Sequence, residues 1–244
     1  METPTSTLMS SKRDDDGGPR NDVARLKGAR MVTAMEPEEG RRLAEARIKE
    51  LCGGDMISAR FLHREFFQFK PTHKLWLRAN HKPIVRGTDE GIWRRIKLIP
   101  FMEYISDQEL DESLPDRLLR DELPGILSWA VEGCIKWQRD GLREPAAVSQ
   151  HTASYRNEMD VLGAFLEECC VAGPSESVSA SQLYSTFRDW AQESGEYLMS
   201  QTMFGRRLND RGFRREKSRD DNNRVWWHGV GLSQAGAGRQ FETV

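Results

Sequence analysis

The spacing of apolar positions changes several times along the chain, and each change predicts an element. Residues 1 to about 22 are polar, include the charge run KRDDDGGPR, and predict a flexible leader that ends by residue 25. GARMVTAME, from Gly28, is an apolar run that predicts a short buried strand closing on Glu36. EEGRRLAEARIKELCGG then reads as a helix with Leu43, Ala46, Ile48 and Leu51 inward, stopped by Gly53-Gly54. From Met56 to Phe69 apolar and polar residues alternate, as in a hairpin, and Leu75–Ala79 predicts a strand ending in Asn80. GIWRRIKLIPF predicts one more strand, and residues 107–145 return to helical spacing, forming a small helical cap.

The pattern tightens from Val161. VLGAFLEECCV predicts a helix, GPSES a turn, and SASQLYSTFRDWAQESG and SQTMFGRRLNDRG two further helices. Ser179 or Ser181 and Ser200 are candidate N-caps, and Gly195 and Gly212 suit the helix ends. FRREKSRDDNNRVWWHGVGL predicts a hairpin with Asp221, Asn222 and Asn223 in its turn, of which Trp226 is assigned to the core. Three helices and such a hairpin make a winged-helix module. The expected organisation is a leader (1–25), an α/β core (26–105), a helical cap (106–158), a winged-helix domain (159–232) and a tail (233–244).

Composition adds exclusions. With 38% hydrophobic and 30% charged residues in 244, the chain is globular in type, and a net charge of −2 leaves any attraction for nucleic acid to local basic patches. Cys52, Cys134, Cys169 and Cys170 show no CxxC or Cys/His spacing, which argues against a zinc site or disulfide framework and for a reduced, cytoplasmic setting. No stretch approaches the ~18 apolar residues of a membrane span, and the first residues lack the apolar core of a signal peptide.

A buried strand ending in acids, followed by a strand ending in an amide, suits a nucleotide-hydrolysing sheet. Mg²⁺ and the attacking water lie beyond the carboxyl ends of such strands, where carboxylates hold them and an amide senses the γ-phosphate. Glu36, with Glu38 or Glu39, supplies the acids, Glu36 being the candidate metal ligand, and Asn80 the amide. Arg94 and Arg95, beyond the last strand, are candidates for reaching a neighbouring subunit's phosphate. Each residue also has a plain structural reading. Acids at a helix start are favoured by its dipole, an asparagine before HKP caps a turn, and paired arginines occur in surface ion pairs.

The ordered combination resembles the superfamily 3 helicases, specifically the phage and plasmid primase-helicase family related to the poxvirus primase-helicase. GARMVTAMEPEEGRRL is similar to the acidic motif B of that family. IKELCGGDMISARFLHREFFQFKPTHKLWLRANHKP is similar to its hairpin followed by motif C, and GTDEGIWRRIKLIPF to its arginine-finger segment. The likeness runs from about Thr7 to Leu232. It implies a P-loop, AAA+-like ATPase core using ATP and Mg²⁺, with Glu36 and Glu39 as acids, Asn80 as sensor and Arg94 or Arg95 as finger. It also implies a homo-hexameric ring on DNA, with Arg60, His63 and Arg64 of the hairpin facing the strand in the central channel.

One departure limits this. No Gly-Lys dipeptide occurs anywhere in the chain, so the phosphate-binding loop G-x-x-x-x-G-K-[ST] is missing, and Gly53-Gly54-Asp55 does not replace it. A threonine that commonly precedes the motif C asparagine is also replaced, in RAN. The expectation is therefore the C-terminal part of an ATP-dependent DNA helicase, inactive in ATP hydrolysis alone and partnered by DNA and by a separate chain carrying the loop. The alternative is a catalytically inactive DNA-binding or helicase-interacting remnant. A second signal is independent of the resemblance. FGRRLNDRGFRREKSR carries Arg206, Arg207, Arg211, Arg214, Arg215, Lys217 and Arg219 against two acids, a basic face suited to phosphates.

Overall fold

The computed structural model describes residues 1–10, 20–35, 39–218 and 224–238. The apolar runs at 31–35 and 74–78 become strands β1 (Met31–Met35) and β4 (Lys74–Arg78), paired in parallel from Met31↔Lys74 to Met35↔Arg78. A parallel pair needs a long crossover. Here it contains α2 (Glu45–Leu51) and a hairpin of β2 (Ile57–Ala59) and β3 (Phe67–Phe69), the alternation from Met56 having predicted the hairpin. Val32 and Ala34 are buried on one face of β1, whereas Met31, Met35 and Trp76 are about half exposed on the other. Parallel sheets normally have both faces covered, so this sheet shows an open face within these residues.

The expected flexible leader is corrected at residues 1–10 and 20–25, while residues 11–19, with most of the charge run, lie outside the described residues. Thr3 N–H donates to Thr33 O at 2.9 Å and Thr33 N–H to Met1 O at 2.9 Å, so the first residues run beside β1. Leu8 and Met9 are 2% exposed, and Val23 and Ala24 are buried in α1 (Asn21–Ala24). Few apolar side chains are available in this stretch, but backbone hydrogen bonds to Thr33, Arg42 and Ala44 hold it. The α2 region is shorter than expected, and Ala46 is exposed while Leu43, Ile48 and Leu51 are buried.

GIWRRIKLIPF is corrected too. Its start forms α3 (Glu90–Trp93), with Asp89 Oδ1 accepting from Ile92 N–H at 3.3 Å, and it becomes irregular from Ile96. Ile92 and Trp93 are buried, and Trp93 meets Tyr155 edge-on at 5.3 Å. Burying those two side chains settles the segment as a helical turn, and the following apolar run pairs with no strand among the described residues. The cap helices form as α4 (Leu114–Arg117), a π turn (Leu118–Glu122), α5 (Leu123–Asp140) and α6 (Ala146–Glu158). Pro124 lacks the N–H an α-helix would use, and the π turn lies immediately before α5. No residue from α4 through α5 is buried, so these helices cap nothing within the described residues.

His73, at the entry to β4, is 6% exposed, and neither ring nitrogen has a partner of good hydrogen-bond geometry. Burial lowers its pKa below 6.5, the nearby Lys74 adds to this, and the Leu51 backbone opposes it. The neutral ring is thus favoured in the fold. Its contribution to stability is full above about pH 6.5 and is lost as pH falls through that value, because the unfolded chain then binds the extra proton. Urea midpoints measured from pH 7.5 to 5.5 should fall for the native protein and fall less for His73→Gln. Equal slopes would assign the loss to other groups.

The chain divides into two compact units, Met1–Arg156 and Asn157–Val244. In the second, the order is α7 (Val161–Cys169), β5 (Cys170–Ser179), α8 (Ala180–Glu193), α9 (Gln201–Asp210), β6 (Arg214–Lys217), β7 (Val225–Leu232) and α10 (Gln234–Gly238). The serine caps hold: Ser179 accepts from Gln182 N–H and Ser200 from Met203 N–H, both at 3.3 Å, while Gly195 and Gly212 take positive φ. Strand β5 was missed. GPSES falls in a register shift between Ala172 and Ser177, and the residues on both sides pair with β7 in an antiparallel sheet ordered β5-β7-β6. The expected tail also orders in part, since Gly236 of α10 is buried where a Cβ would sit 2.2 Å from Cys169 O.

Register decides the two tryptophans. Trp227 is 3% exposed and shares a sheet face with Val178, so it is the core residue, and Trp226 lies half-buried on the opposite face; the expected assignment is reversed. The core is aromatic: Phe165 contacts Phe187 at 5.4 Å, Trp190 at 5.6 Å and Phe204 at 6.1 Å between ring centroids. The four cysteines are free, and the Cys170 thiol is pushed up to about 12 by burial and by Cys169 beside it. A thiol so protonated is a poor nucleophile. No described helix is long and apolar enough to cross a membrane.

Candidate nucleic-acid interface and strand-end residues

In the first unit the parallel register places the carboxyl ends of β1 and β4 at one sheet edge. Asn80 is exposed two residues beyond β4, and Glu39 is exposed four residues beyond β1. Glu36 and Glu38 lie outside the described residues. Among the described residues no three His, Cys, Asp or Glu side chains gather as a cation site. No Gly-Lys dipeptide occurs in the chain, so the loop that would cradle the phosphates of ATP is not among these residues.

The Arg94-Arg95 segment is built by residues that sequence reasoning missed. Glu45 Oε1 accepts from the N–H groups of Arg86 and Gly87, both at 2.9 Å. A Cβ on Gly87 would sit 2.2 Å from Glu45 Oε2, so a larger residue there would push the carboxylate from this position. Trp93 Nε1 donates to Gly87 O at 2.8 Å. Lys49 Nζ lies 2.9 Å from Asp89 Oδ1, and this hydrogen bond lowers the Asp89 pKa. The clamp leaves the two arginines unequal. Arg94 is exposed at the C-cap of α3, whereas Arg95 is half-buried and donates to Gly91 O at 2.6 Å. A reaching role therefore suits Arg94 better.

The hairpin loop brings Arg60, His63 and Arg64 together with exposed aromatics. The Arg60 guanidinium lies 4.6 Å from the Phe66 ring centroid, and Phe66 and Phe61 are 58% and 39% exposed. His63 takes φ +58°, and Leu62 N–H donates to Asn21 Oδ1 at 2.9 Å, which ties the loop to α1. Cation and ring together suit a nucleic-acid strand.

In the second unit, Arg214, Arg215 and Lys217 are exposed on β6, an edge strand. Arg206 is exposed on α9 and Arg207 half-buried, while Arg219 lies outside the described residues. Arg211 is committed elsewhere: it pairs with Asp160, which also accepts from Gly163 N–H at 3.1 Å as the N-cap of α7. Glu216 faces His228 at 3.6 Å. Between α9 and β6 lies an open cleft of about 480 Å³ lined by Asn209, Gly212, Phe213, Arg214, Arg215 and Glu216. Phe213 lines it and lies against Gly229, whose φ is +91°.

Residues 157–229, which contain α7, α8 and α9 and most of the second unit's sheet, match the family described as Poxvirus D5 protein-like. The chain is 31% identical to "Putative helicase L207/L206" of Acanthamoeba polyphaga mimivirus, over 75% of this chain and 21% of that protein. It is 25% identical to "Putative helicase 022R" of Frog virus 3, over 79% of this chain and 22% of the relative. It is 23% identical to "Putative primase C962R" of African swine fever virus, over 75% and 21%. The chain thus spans about a fifth of the length of these curated relatives. Together, the matches support kinship with the poxvirus-like primase-helicases of DNA viruses.

Proposed function

We propose that this chain is the C-terminal portion of an ATP-dependent DNA primase-helicase of superfamily 3 type, serving replication of a phage, plasmid or virus. The observation that most favours this is the parallel β1–β4 pair, with Glu39 and Asn80 beyond one edge and Arg94 on a clamped helical turn further along. The open face of that pair, with Trp76 46% exposed, suits part of a larger P-loop sheet. The second unit acts as a winged-helix module, α9 and the β6–β7 hairpin meeting DNA phosphates through Arg206, Arg214, Arg215 and Lys217. The hairpin residues Arg60, His63 and Arg64 face the translocating strand in a homo-hexameric ring.

ATP turnover needs a phosphate loop supplied by further sequence or by another chain, because nothing here replaces the loop amides and lysine around the phosphates. The missing Gly-Lys pair also favours a second reading, a DNA-binding remnant without catalysis. ATP hydrolysis and DNA binding by the purified chain test both. Expected are no turnover, with or without single-stranded DNA, and salt-dependent DNA binding. Turnover by the chain alone, abolished in Arg94→Ala, would overturn the incomplete-site reading. Absence of DNA binding at low salt would overturn the nucleic-acid role. When mixed with a protein carrying the loop, recovered turnover should fall roughly 10³-fold or more in Arg94→Ala, the scale of an arginine finger. Unaltered rates would favour the remnant.

A further inference from the structure

Helix α5 presents large apolar side chains to solvent along its whole length: Leu123 is 50% exposed, Ile126 42%, Leu127 66% and Trp137 54%. The side chains at 123, 126, 127, 130, 133, 134 and 137 recur at three- and four-residue spacing, which puts them on one stripe of the helix. The stripe is ordered by size. Bulky residues stand at 123, 126 and 127, small ones at 130, 133 and 134, and a tryptophan at 137.

The geometry points to α5 as a self-association seam, covered by α5 of a second copy running antiparallel about Ala130. In that arrangement Leu123 meets the partner's Trp137, and the bulky Ile126 and Leu127 enter the gap left by the partner's Gly133 and Cys134. Ala130 meets its own copy, where two backbones approach closely. A parallel pairing sets bulky against bulky and small against small, which leaves both clashes and voids.

Charge follows the same symmetry. Arg120 comes level with the partner's Asp140, and Asp121 with the partner's Arg139. Among the described residues these pair with their sequence neighbours, Arg120 with Asp121 at 2.9 Å and Arg139 with Asp140 at 2.8 Å, so they are placed to exchange partners. The seam's exposed apolar surface is on the order of 500 Å² per copy, so two copies bury about 1,000 Å², the lower bound for a specific interface. The seam is independent of the proposed work on DNA.

The test is sedimentation velocity on the full chain in reductant across the micromolar range. The native protein should pass from monomer to dimer, and Gly133→Leu should remain monomeric, its dissociation constant raised ~30-fold or more. A Cβ at Gly133 meets nothing within 4 Å in the single chain, and leucine is the better helix former, so the variant should melt no lower than native. Ile126→Cys, oxidised with the native Cys134, should trap a covalent dimer that native protein forms poorly under the same oxidant. A native protein that stays monomeric throughout would overturn the seam and assign the face to a different protein segment. A dimer that survives Gly133→Leu would overturn it as well.

Discussion

Phe165→Ala should unfold the second unit well below the native melting temperature. Phe165 is fully buried and touches Phe187, Trp190 and Phe204, so it joins α7 to α8 and α9. Removing its ring leaves a cavity between three helices whose other faces are already committed. The β5-β7-β6 sheet limits collapse into that space, because Val178, Trp227 and Val230 are themselves packed against the same core. Such truncations cost about 3–5 kcal/mol. A domain of this size holds on the order of 5–10 kcal/mol in total, so the loss is around half of it. At roughly 4–8 °C per kcal/mol, the transition of this unit should fall by on the order of 20 °C. Phe165→Leu, which keeps most of the volume, should fall by much less. A Phe165→Ala melt within a few degrees of native would mean that the aromatic cluster is not one cooperative core.

Reversing charge at Arg214, Arg215 and Lys217 together should weaken DNA binding by about 10²-fold or more at low salt and flatten its salt dependence. All three side chains are exposed on an edge strand, so the fold loses no buried contact when they change. Each phosphate contact contributes about 0.9 to the slope of log affinity against log salt, so losing three should lower that slope by about 2.7. Arg211→Glu is not a companion variant, because it would break the pairing with Asp160 at the N-cap of α7 and change stability along with charge. Arg188→Glu, whose side chain is 54% exposed on α8, reverses one charge away from β6 and gives the loss per reversed charge due to net charge alone. Equal loss per reversed charge in both variants would reduce the β6–β7 hairpin to part of a general electrostatic field. Full binding in the triple variant would remove that hairpin from the interface.

Signals that act within a few residues were legible in the chain. The caps at Ser179 and Ser200 and the stops at Gly195 and Gly212 bracket helices whose apolar spacing had already located them. The alternation from Met56 to Phe69 predicted the β2–β3 hairpin, and the apolar run before Asn80 predicted β4, displaced one residue toward the C-terminus. The basic residues Arg214, Arg215 and Lys217 could be read as exposed for the same reason, since an edge strand imposes no partner on them.

Partners distant in sequence decided the rest. Whether Trp226 or Trp227 enters the core depends on β7 pairing with β5 in one register, and a one-residue slip would exchange them. β5 exists because β7, distant in the chain, offers it hydrogen bonds across a bulge. Leu8 and Met9 are buried because β1 and the segment before α2 hold the first residues, although their own composition is that of a leader. The place of Arg94 depends on Glu45 reaching the amides of Arg86 and Gly87, a contact some forty residues apart in the chain. Capping, turn chemistry and periodicity are local free energies, complete within a turn or a hairpin, and the sequence alone determines them. Strand register, side-chain burial and the clamp on α3 arise only when distant segments exclude water together, and only the tertiary structure decided those.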